Sequence, residues 1–342
     1  MSEIPGGGPV LEVEDLDIAI RRRGKRLAIV EGLSFTLHPG EVLGIVGESG
    51  SGKTMTAKAL MGLTRFVRGL EVQGSVRLRG DELMDLPESE FARLRGRDLA
   101  MVFQDSLRAL NPLQRVGSQV AEVLRLHTDL DREQIETEAI RLLADVGIPH
   151  ASERVRDYPH QFSGGMRQRA MIACALACDP DVLIADEPTT ALDVTIQAQI
   201  LRLVSALAKQ RGSAVLLITH DLGVITEIAD RVLVMYGGRA VECGATEPIM
   251  TAPQHPYTWG LLDSIPSIDR PRAQSLPSIP GSPPALEARP TGCPFRTRCG
   301  HVFGDCVDLP PLRPLDCDAQ HLQRCWLPRE VRAARHRKGA AR

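Results

Sequence analysis

The chain of 342 residues has few aromatic side chains, no long apolar run and almost no net charge. Aromatic residues make up 4% of the sequence, and the formal charge is −2 at pH 7. Because no apolar run approaches the length of a bilayer, no membrane-spanning helix is expected, and the balanced charge gives no argument for nucleic acid. Residues 1–9 have neither a basic segment nor an apolar core, so they predict no export signal. We therefore expect a cytosolic protein that can still sit on a membrane partner.

Cysteine and proline are scarce over most of the sequence and frequent near its end. Five of the eight cysteines follow residue 290, and residues 248–342 hold 15 of the 24 prolines. Such a change in composition marks a boundary between a regular domain and a loop-rich segment. We therefore predict a first domain over residues 1–252 and a small, irregular, cysteine- and proline-rich extension over residues 253–342. In a cytosolic protein, clustered cysteines are more often metal ligands or free thiols than disulfides.

A glycine-rich stretch lies between an apolar run, Val42–Val46, and a segment with helical composition. The stretch consists of Gly47, Glu48, Ser49, Gly50, Ser51, Gly52, Lys53 and Thr54. Glycines allow backbone angles at which successive N–H groups converge on phosphate oxygens, and the following helix N-terminus adds partial positive charge. The Lys53 ammonium adds a full charge, and the Thr54 hydroxyl suits Mg²⁺. This order of strand, loop and helix predicts a nucleotide phosphate site.

Two kinds of apolar segment predict two kinds of strand. Some segments alternate between apolar and polar side chains, as antiparallel strands with one buried face do. These are residues 10–13, 16–20 and 33–37. Others are continuously apolar, as parallel strands buried on both faces are. These are residues 99–103, 182–185 and 215–218. We therefore predict an α/β fold with a parallel core sheet and an antiparallel β edge.

A helical subdomain is expected to interrupt this sheet. Residues 116–127 and 132–146 carry apolar side chains at helical spacing, with charged faces between them. We place the inserted subdomain at about residues 105–165 of the first domain. Farther along, residues 231–244 have the pattern of a β-hairpin that turns at Gly237 and Gly238.

Two further motifs carry groups that suit nucleotide chemistry. Asp186 and Glu187 follow the apolar run of residues 182–185, and ligands of parallel sheets bind at the carboxyl ends of the strands. Asp186 is suited to hold Mg²⁺, and Glu187 is suited to polarise an attacking water. Ser163, followed by two glycines, precedes a helical run at residues 169–178 and predicts a second anion site. Two anion-binding loops with one hydrolytic glutamate are a puzzle for a single chain.

These motifs, together with Gln104, Asp193 and His220, resemble those of the ATP-binding subunits of ABC transporters. In that family two nucleotide-binding domains stack head to tail, and each ATP lies between the phosphate loop of one domain and the serine-glycine loop of the other. The resemblance implies ATP and Mg²⁺ as cofactors, and a second ATP-binding subunit, either a paralogue or another copy of this chain, as a partner. The residues it places against the partner's nucleotide are Ser163, Gly164, Gly165 and Asp193.

The resemblance also implies roles within the catalytic centre. Gln104 resembles the family residue that senses Mg²⁺ and the transmembrane subunit, and His220 resembles the switch histidine that contacts the γ-phosphate and helps to position Glu187. The implied catalytic residues are Glu187, His220 and Gln104. The implied Mg²⁺ ligands are Thr54, Gln104 and Asp186. Without the resemblance, His220 is a paired histidine at a strand end and Gln104 is a polar loop residue.

Three stretches are similar to the dipeptide, oligopeptide and nickel importer branch of this family. They are residues 158–161 (YPHQ), 186–195 (DEPTTALDVT) and 255–258 (HPYT). The similarity implies an ATPase that energises import of peptides or a related small solute, with two transmembrane permease subunits and, indirectly, an extracytoplasmic solute-binding protein. It implies a peripheral location on the cytoplasmic face of the cell membrane and no nucleic-acid partner. A soluble ABC ATPase of cluster assembly, translation or DNA repair shares the ATP motifs and is the alternative.

One departure from the family concerns adenine. Many ABC proteins stack adenine on an aromatic residue near the first strands, but residues 10–33 contain no aromatic side chain and carry three arginines at 21–23. Either an arginine plane stacks on adenine, or the base is loosely held and the arginines form a solvated hairpin tip.

The cysteines of the extension are Cys293, Cys299, Cys306, Cys317 and Cys325. Their spacing does not fit the Cys-x-x-Cys of most structural zinc sites, so spacing alone leaves metal binding open. In the importer branch a similar tail carries four cysteines that hold a [4Fe–4S] cluster in some members. That resemblance implies Cys293, Cys299, Cys306 and Cys325 as ligands, with Zn²⁺ as the alternative metal. Because the ATPase motifs are far away in sequence, we expect ATP binding to survive unfolding of this segment.

Overall fold

The computed structural model describes residues 8–188, 194–265 and 278–332, and these form two β-sheets with helices packed around them. The strands are β1 (Leu11–Arg22), β2 (Lys25–Leu37), β3 (Val42–Val46), β4 (Leu70–Leu78), β5 (Asp81–Glu82), β6 (Leu99–Val102), β7 (Val182–Asp186), β8 (Ala214–Thr219), β9 (Arg231–Tyr236), β10 (Arg239–Ala245), β11 (Arg313–Leu315) and β12 (Asp318–Gln323). The α-helices are α1 (Lys53–Leu60), α2 (Glu88–Leu94), α3 (Ser106–Ala109), α4 (Val116–His127), α5 (Arg132–Asp145), α6 (Ala151–Arg154), α7 (Gly164–Ala175), α8 (Val194–Arg211), α9 (Leu222–Ile228), α10 (Thr246–Thr251) and α11 (Pro256–Asp263). Among the described helices, none combines the length and the apolar character that crossing a bilayer requires.

The larger sheet has eight strands in the order β11-β12-β10-β9-β3-β8-β7-β6. Strands β6, β7, β8, β3 and β9 run parallel. Every residue of β3, β7 and β8 is buried, because helices or the second sheet cover both faces. The predicted parallel core sheet is therefore confirmed. Its carboxyl edge brings together the loop after β3, the end of β7 and the end of β8.

The alternating segments of the sequence form a second, antiparallel sheet with the order β2-β1-β4-β5. Residues 10–13 and 16–20, expected as two strands, belong mainly to the single strand β1, which is irregular between Val13 and Leu16. The inner face of this sheet packs into one core with β3 and α1. The core sheet does have an antiparallel edge, but β10, β12 and β11 form it.

The helices between β6 and β7 include both helices that the apolar spacing predicted. Helix α4 has the predicted bounds, and α5 ends one residue earlier than predicted. Asp131 caps α5 in a reciprocal arrangement, because its carboxylate accepts from the Gln134 N–H while the Gln134 side chain accepts from the Asp131 N–H, both at 2.9 Å. Helix α7 begins at Gly164, five residues before the predicted start at residue 169, because Ser163 caps it.

The extension differs from the prediction of an irregular segment, since two of its parts are strands. Strand β12 pairs antiparallel with β10, with Gln323 opposite Glu242, and β11 pairs with β12. An unpaired edge strand leaves backbone N–H and C=O groups without partners, and β12 supplies them for β10. Side chains of the extension also enter the main hydrophobic core, among them Phe295.

A buried carboxylate ties the extension to the rest of the chain. Glu242 in β10 is fully buried. Its Oε1 accepts from the Gln254 N–H at 2.5 Å and faces the Nε2 of His321 in β12 at 2.7 Å. Its Oε2 accepts from the Thr258 hydroxyl at 2.5 Å and from the His255 N–H at 3.1 Å. Glu242 thereby joins β10 to the HPYT stretch and to β12, because a buried carboxylate requires such partners.

Candidate functional site

The glycine-rich stretch forms a tight loop between β3 and α1. Gly47 has a φ of 155°, and a Cβ there would lie 2.2 Å from the carbonyl oxygen of Met235. Gly52, the N-cap of α1, has a φ of 107°, and a Cβ there would lie 2.8 Å from a methyl group of Val30. Side chains larger than hydrogen therefore do not fit, and the backbone is free to face a ligand.

Lys53 places a buried positive charge inside this loop. The residue is 5% exposed, and its ammonium donates to the carbonyl oxygens of Gly47 at 2.7 Å and Glu48 at 3.1 Å. Burial lowers the pKa of Lys53, whereas the carboxylates of Glu187, Asp186 and Glu48 oppose that shift. A buried ammonium gains most from an anionic ligand, so this loop suits a polyphosphate.

One polar atom of the loop fits the same ligand. Within the described residues, the Ser51 hydroxyl is buried and has no hydrogen-bond partner. A buried hydroxyl without a partner is costly, and a phosphate oxygen would supply the missing acceptor. The residues present therefore fit a nucleotide phosphate.

Thr54 and Asp186 meet across the loop. The Thr54 hydroxyl donates to Oδ1 of Asp186 at 3.1 Å, and Asp186 is 2% exposed at the end of β7. Burial raises the pKa of Asp186. A divalent cation would offset that burial cost, and hydroxyl and carboxylate oxygens are the ligands that Mg²⁺ prefers. Thr54 and Asp186, both predicted from the sequence as Mg²⁺ ligands, therefore lie together and present oxygen atoms that fit this ion.

Glu187 lies in a strained backbone conformation beside two predicted partners. Its φ is 44°, in the left-handed region that non-glycine residues rarely adopt. Gln104 donates through Nε2 to Oε2 of Glu187 at 3.0 Å, and Nδ1 of His220 lies 3.6 Å from the same oxygen. Strain of this kind persists where the surrounding structure holds it, and it is concentrated at functional sites. The three residues are therefore brought together around one carboxylate.

The serine-glycine loop lies at a different place. Ser163 caps α7, and its hydroxyl accepts from the Met166 N–H at 3.3 Å, with Gly164 and Gly165 in the first helical turn. In the described part of the chain, no hydrogen bond or ion pair joins this turn to the phosphate loop. Asp193, predicted to act with it, lies outside the described residues.

The arginine run occupies the tip of the β1–β2 hairpin. Arg21 forms an ion pair with Glu71, and its side chain is 68% exposed. Arg23 has a φ of 51° in the turn between the strands. The structure thus supports the hairpin-tip alternative for these residues.

Two residues to which the sequence assigned no role at the nucleotide site form hydrogen bonds with the phosphate loop. Nη1 of Arg298, in the extension, donates to Oε2 of Glu48 at 2.5 Å, and Nη2 donates to Oε1 at 3.1 Å. The Tyr257 hydroxyl, in α11, accepts from the Glu48 N–H at 2.7 Å. Tyr257 belongs to the HPYT stretch, which served only as a branch marker. No local pattern links Arg298 to a loop 250 residues earlier.

The cysteines of the extension differ in burial. Cys293, Cys306 and Cys325 are buried, Cys299 is half-buried, and Cys317 is exposed. Burial raises the pKa of Cys293 to about 11 and that of Cys325 to about 12, and both thiols also interact electrostatically with Cys299. Across the described residues, no group of three or more histidine, cysteine or acidic side chains is arranged to hold a metal ion. The predicted metal site therefore has no support from this arrangement.

Comparison with protein families gives two matches along the chain. Residues 30–190 match the family described as ABC transporter, and residues 241–306 match the oligopeptide/dipeptide transporter, C-terminal region. The first match contains the phosphate loop, the serine-glycine loop, and the carboxylates of Asp186 and Glu187 at the end of β7. The second begins in β10 and includes α11 and three of the five cysteines of the extension.

Comparison with individual proteins extends the similarity to almost the whole chain. The oligopeptide transport ATP-binding protein OppD of Salmonella typhimurium is 47% identical over 321 residues, which are 94% of this chain and 94% of the relative. The dipeptide transport ATP-binding protein DppD of Bacillus subtilis is 46% identical over 93% of this chain and 94% of the relative. The dimeric structure of the bacterial ABC transporter cassette MJ0796 shares the fold, with a TM-score of 0.62 at 24% identity over 69% of this chain and 98% of that one. The chain therefore belongs to the ABC transporter family of ATPases, among the relatives of the oligopeptide and dipeptide transport ATP-binding proteins.

Proposed function

We propose that this ATPase energises a membrane importer of oligopeptides or dipeptides. The observation that carries the proposal is that the similarity to peptide transport ATP-binding proteins extends over almost the whole chain, including the extension, and is not limited to the nucleotide motifs. A soluble ABC ATPase of cluster assembly, translation or DNA repair shares the nucleotide motifs alone. The extension also contacts the ATP site, because Arg298 and Tyr257 bind Glu48 of the phosphate loop.

The catalytic centre would use each residue in a separate role. Lys53 and the N–H groups of the loop neutralise the phosphates, and Thr54 with Asp186 would hold Mg²⁺, which supplies further positive charge when bound. The Glu187 carboxylate accepts a hydrogen bond from the attacking water and thereby polarises that water. Gln104 and His220 orient the carboxylate of Glu187, since both face its Oε2.

The partners follow from the same proposal. Ser163, Gly164, Gly165 and Asp193 would contact the nucleotide of a second ATP-binding subunit, which is a paralogue or another copy of this chain. Two transmembrane permease subunits would receive the movement of the helical subdomain at residues 105–165, and a solute-binding protein would deliver the peptide from outside the membrane. The chain would then be peripheral, on the cytoplasmic face of the cell membrane.

The function is tested by capture from detergent-solubilised membranes of the source cells. We expect the tagged chain to retain integral membrane proteins of permease size, and ATP hydrolysis by the captured complex in vesicles to rise when peptide and binding protein are supplied. Retention of ribosomes, DNA or cluster-assembly proteins without any membrane protein would favour the soluble alternative.

If each ATP site combines the phosphate loop of one chain with the serine-glycine loop of another, mixed dimers of two inactive variants should recover activity. A Ser163→Arg chain and a Glu187→Gln chain are each inactive alone, because both sites of each homodimer carry a lesion. A mixed dimer of self-pairing chains combines both lesions in one site and leaves the other intact. Random mixing should therefore recover about a quarter of wild-type hydrolysis. Dimers shown by cross-linking to be mixed, yet fully inactive, would contradict the arrangement.

We also infer a metal site formed by Cys293, Cys299, Cys306 and Cys325. A single Zn²⁺ needs every sulfur at about 2.3 Å from one point. In a [4Fe–4S] cluster each thiolate binds a different iron, so the sulfurs need not converge on one point. Cys325 interacts electrostatically with Cys293 and Cys299, which is compatible with a shared site of either kind.

The metal prediction has a matched control within the same segment. Protein purified without oxygen should be brown and contain about four irons per chain. Cys293→Ser should lose the metal, whereas Cys317→Ser, which changes an exposed cysteine, should keep it. Stoichiometric zinc without colour would replace the cluster by a zinc site. If neither iron nor zinc is present in stoichiometric amount in the folded protein, there is no metal site.

A further inference from the structure

A buried arginine of the extension contacts the phosphate loop directly. The side chain of Arg298 is 4% exposed, and its two terminal nitrogens hold both carboxylate oxygens of Glu48. The same guanidinium lies 3.3 Å from the Tyr236 hydroxyl, and its Nε donates to the Pro280 carbonyl oxygen at 2.8 Å. A bidentate, largely buried pair of this kind fixes position as well as charge.

Aromatic side chains hold the segment of Arg298 against the ATPase core. The ring of Phe295 lies 5.1 Å from that of Tyr236, in β9, and 5.4 Å from that of Tyr257, in α11. The rings of Tyr236 and Tyr257 are 4.6 Å apart. These distances are those of favourable aromatic pairs, so residues 293–299 are attached to the two elements that flank the loop.

Glu48 needs this partner because of where it lies. Its backbone belongs to the loop whose N–H groups and Lys53 bind phosphate, and its carboxylate interacts electrostatically with the Lys53 ammonium. An unpaired carboxylate at this position would repel a polyphosphate and compete for the Lys53 charge. Pairing with Arg298 weakens both effects, because the guanidinium offsets the negative charge of the carboxylate.

We propose that Arg298 is a positioning residue of the ATP site, which neutralises Glu48 and fixes the phosphate loop, so that affinity for the nucleotide depends on the fold of residues 293–299. Cys293 and Cys299 bound this segment, and Cys299 adjoins Arg298 in the chain. A change at these cysteines that disturbs the segment would therefore alter the position of the phosphate loop, even without contact between a cysteine and the nucleotide. The inference rests on the ATP site and is independent of which solute is imported and of which metal, if any, is bound.

The test is a double-mutant cycle on Arg298 and Glu48, with binding of the non-hydrolysable ATP analogue AMP-PNP and Mg²⁺ measured by calorimetry. We expect Arg298→Gln to weaken binding by about tenfold, because a charge pair in a largely buried position is broken. Glu48→Gln should rescue most of that loss when it is added to Arg298→Gln, since it removes the charge that Arg298 neutralises. In steady-state hydrolysis the loss should fall mainly on KM for ATP rather than on kcat.

Arg296→Gln is the matched control, because it removes an arginine of the same segment. In the part of the chain that the structure describes, Arg296 forms no hydrogen bond or ion pair with the phosphate loop. Wild-type binding by Arg296→Gln would show that a change in this segment does not by itself disturb the ATP site. Loss of binding in Lys53→Ala would show that the phosphate loop is the site being measured. With both results in hand, a failure of this inference can be distinguished from a failure of the proposed ATP site.

Two outcomes would overturn the proposal. One is wild-type affinity in folded Arg298→Gln protein. The other is a loss that Glu48→Gln does not rescue, because Arg298 would then act only in folding the extension. If Arg298→Gln does not fold, Arg298→Met replaces it: methionine keeps an apolar side chain in the pocket but removes the charge, so this variant should also lose about tenfold in affinity and regain most of it with Glu48→Gln. Wild-type affinity in folded Arg298→Met protein would refute the proposal.

Discussion

Replacing Glu187 with glutamine should leave ATP binding intact and reduce turnover by about 10²- to 10⁴-fold, the range that a positioned general base contributes. Glutamine has nearly the same shape as glutamate, and its side-chain oxygen can still face Gln104. However, the amide lacks the negative charge with which the carboxylate polarises water. Because ATP is bound but not cleaved, the closed dimer should accumulate. Rapid-quench hydrolysis and size-exclusion chromatography with ATP measure the two effects.

Glu227→Gln is the control for this variant. Glu227 is an exposed glutamate whose only described ion pair is with Arg202 at 2.8 Å on the surface, and its loss should change turnover little. Lys53→Ala should behave differently from both, since it weakens nucleotide binding itself. Hydrolysis by Glu187→Gln at the wild-type rate would show that another group activates the water.

Replacing Glu242 with alanine should destabilise the protein by about 3–5 kcal/mol, the cost of removing one partner from a buried charged network. The change leaves the Thr258 hydroxyl, the His321 ring and the N–H groups of Gln254 and His255 without their acceptor. The melting temperature should fall by many degrees. Limited proteolysis should begin in the extension, because β12 loses its main polar link to β10.

Glu247→Ala provides the comparison, because Glu247 is an exposed glutamate in α10, close to Glu242 in sequence. It should change the free energy of unfolding by less than about 0.5 kcal/mol, as surface substitutions do. A Glu242→Ala protein as stable as this control would mean that water replaces the carboxylate, and that the network does not hold the extension.

Tertiary structure corrected two expectations about the extension. The proline-rich composition predicted a boundary near residue 250, but composition carries no information about β12, whose pairing partner β10 is 79 residues away at the Glu242–His321 contact. Distance in sequence also suggested that the cysteine segment and the ATP motifs are separate, whereas Arg298 and Glu48 are in contact. Both contacts join residues that no local spacing relates.

The sequence by itself determined the features whose physics is local. The phosphate loop requires glycines followed by Lys53 and Thr54, the parallel strands require uninterrupted apolar runs, and α4 requires apolar spacing of a helix; each of these is visible within about 20 residues. Only the tertiary structure decided that Gln104 contacts the Glu187 carboxylate, that Glu242 meets its four partners, and that Arg298 reaches the phosphate loop. The proximity of His220 to Glu187 had been implied by the family resemblance. These groups meet because the fold brings distant polar and charged groups into contact, and a polar residue leaves no periodic pattern in the sequence to show which distant group it will bind.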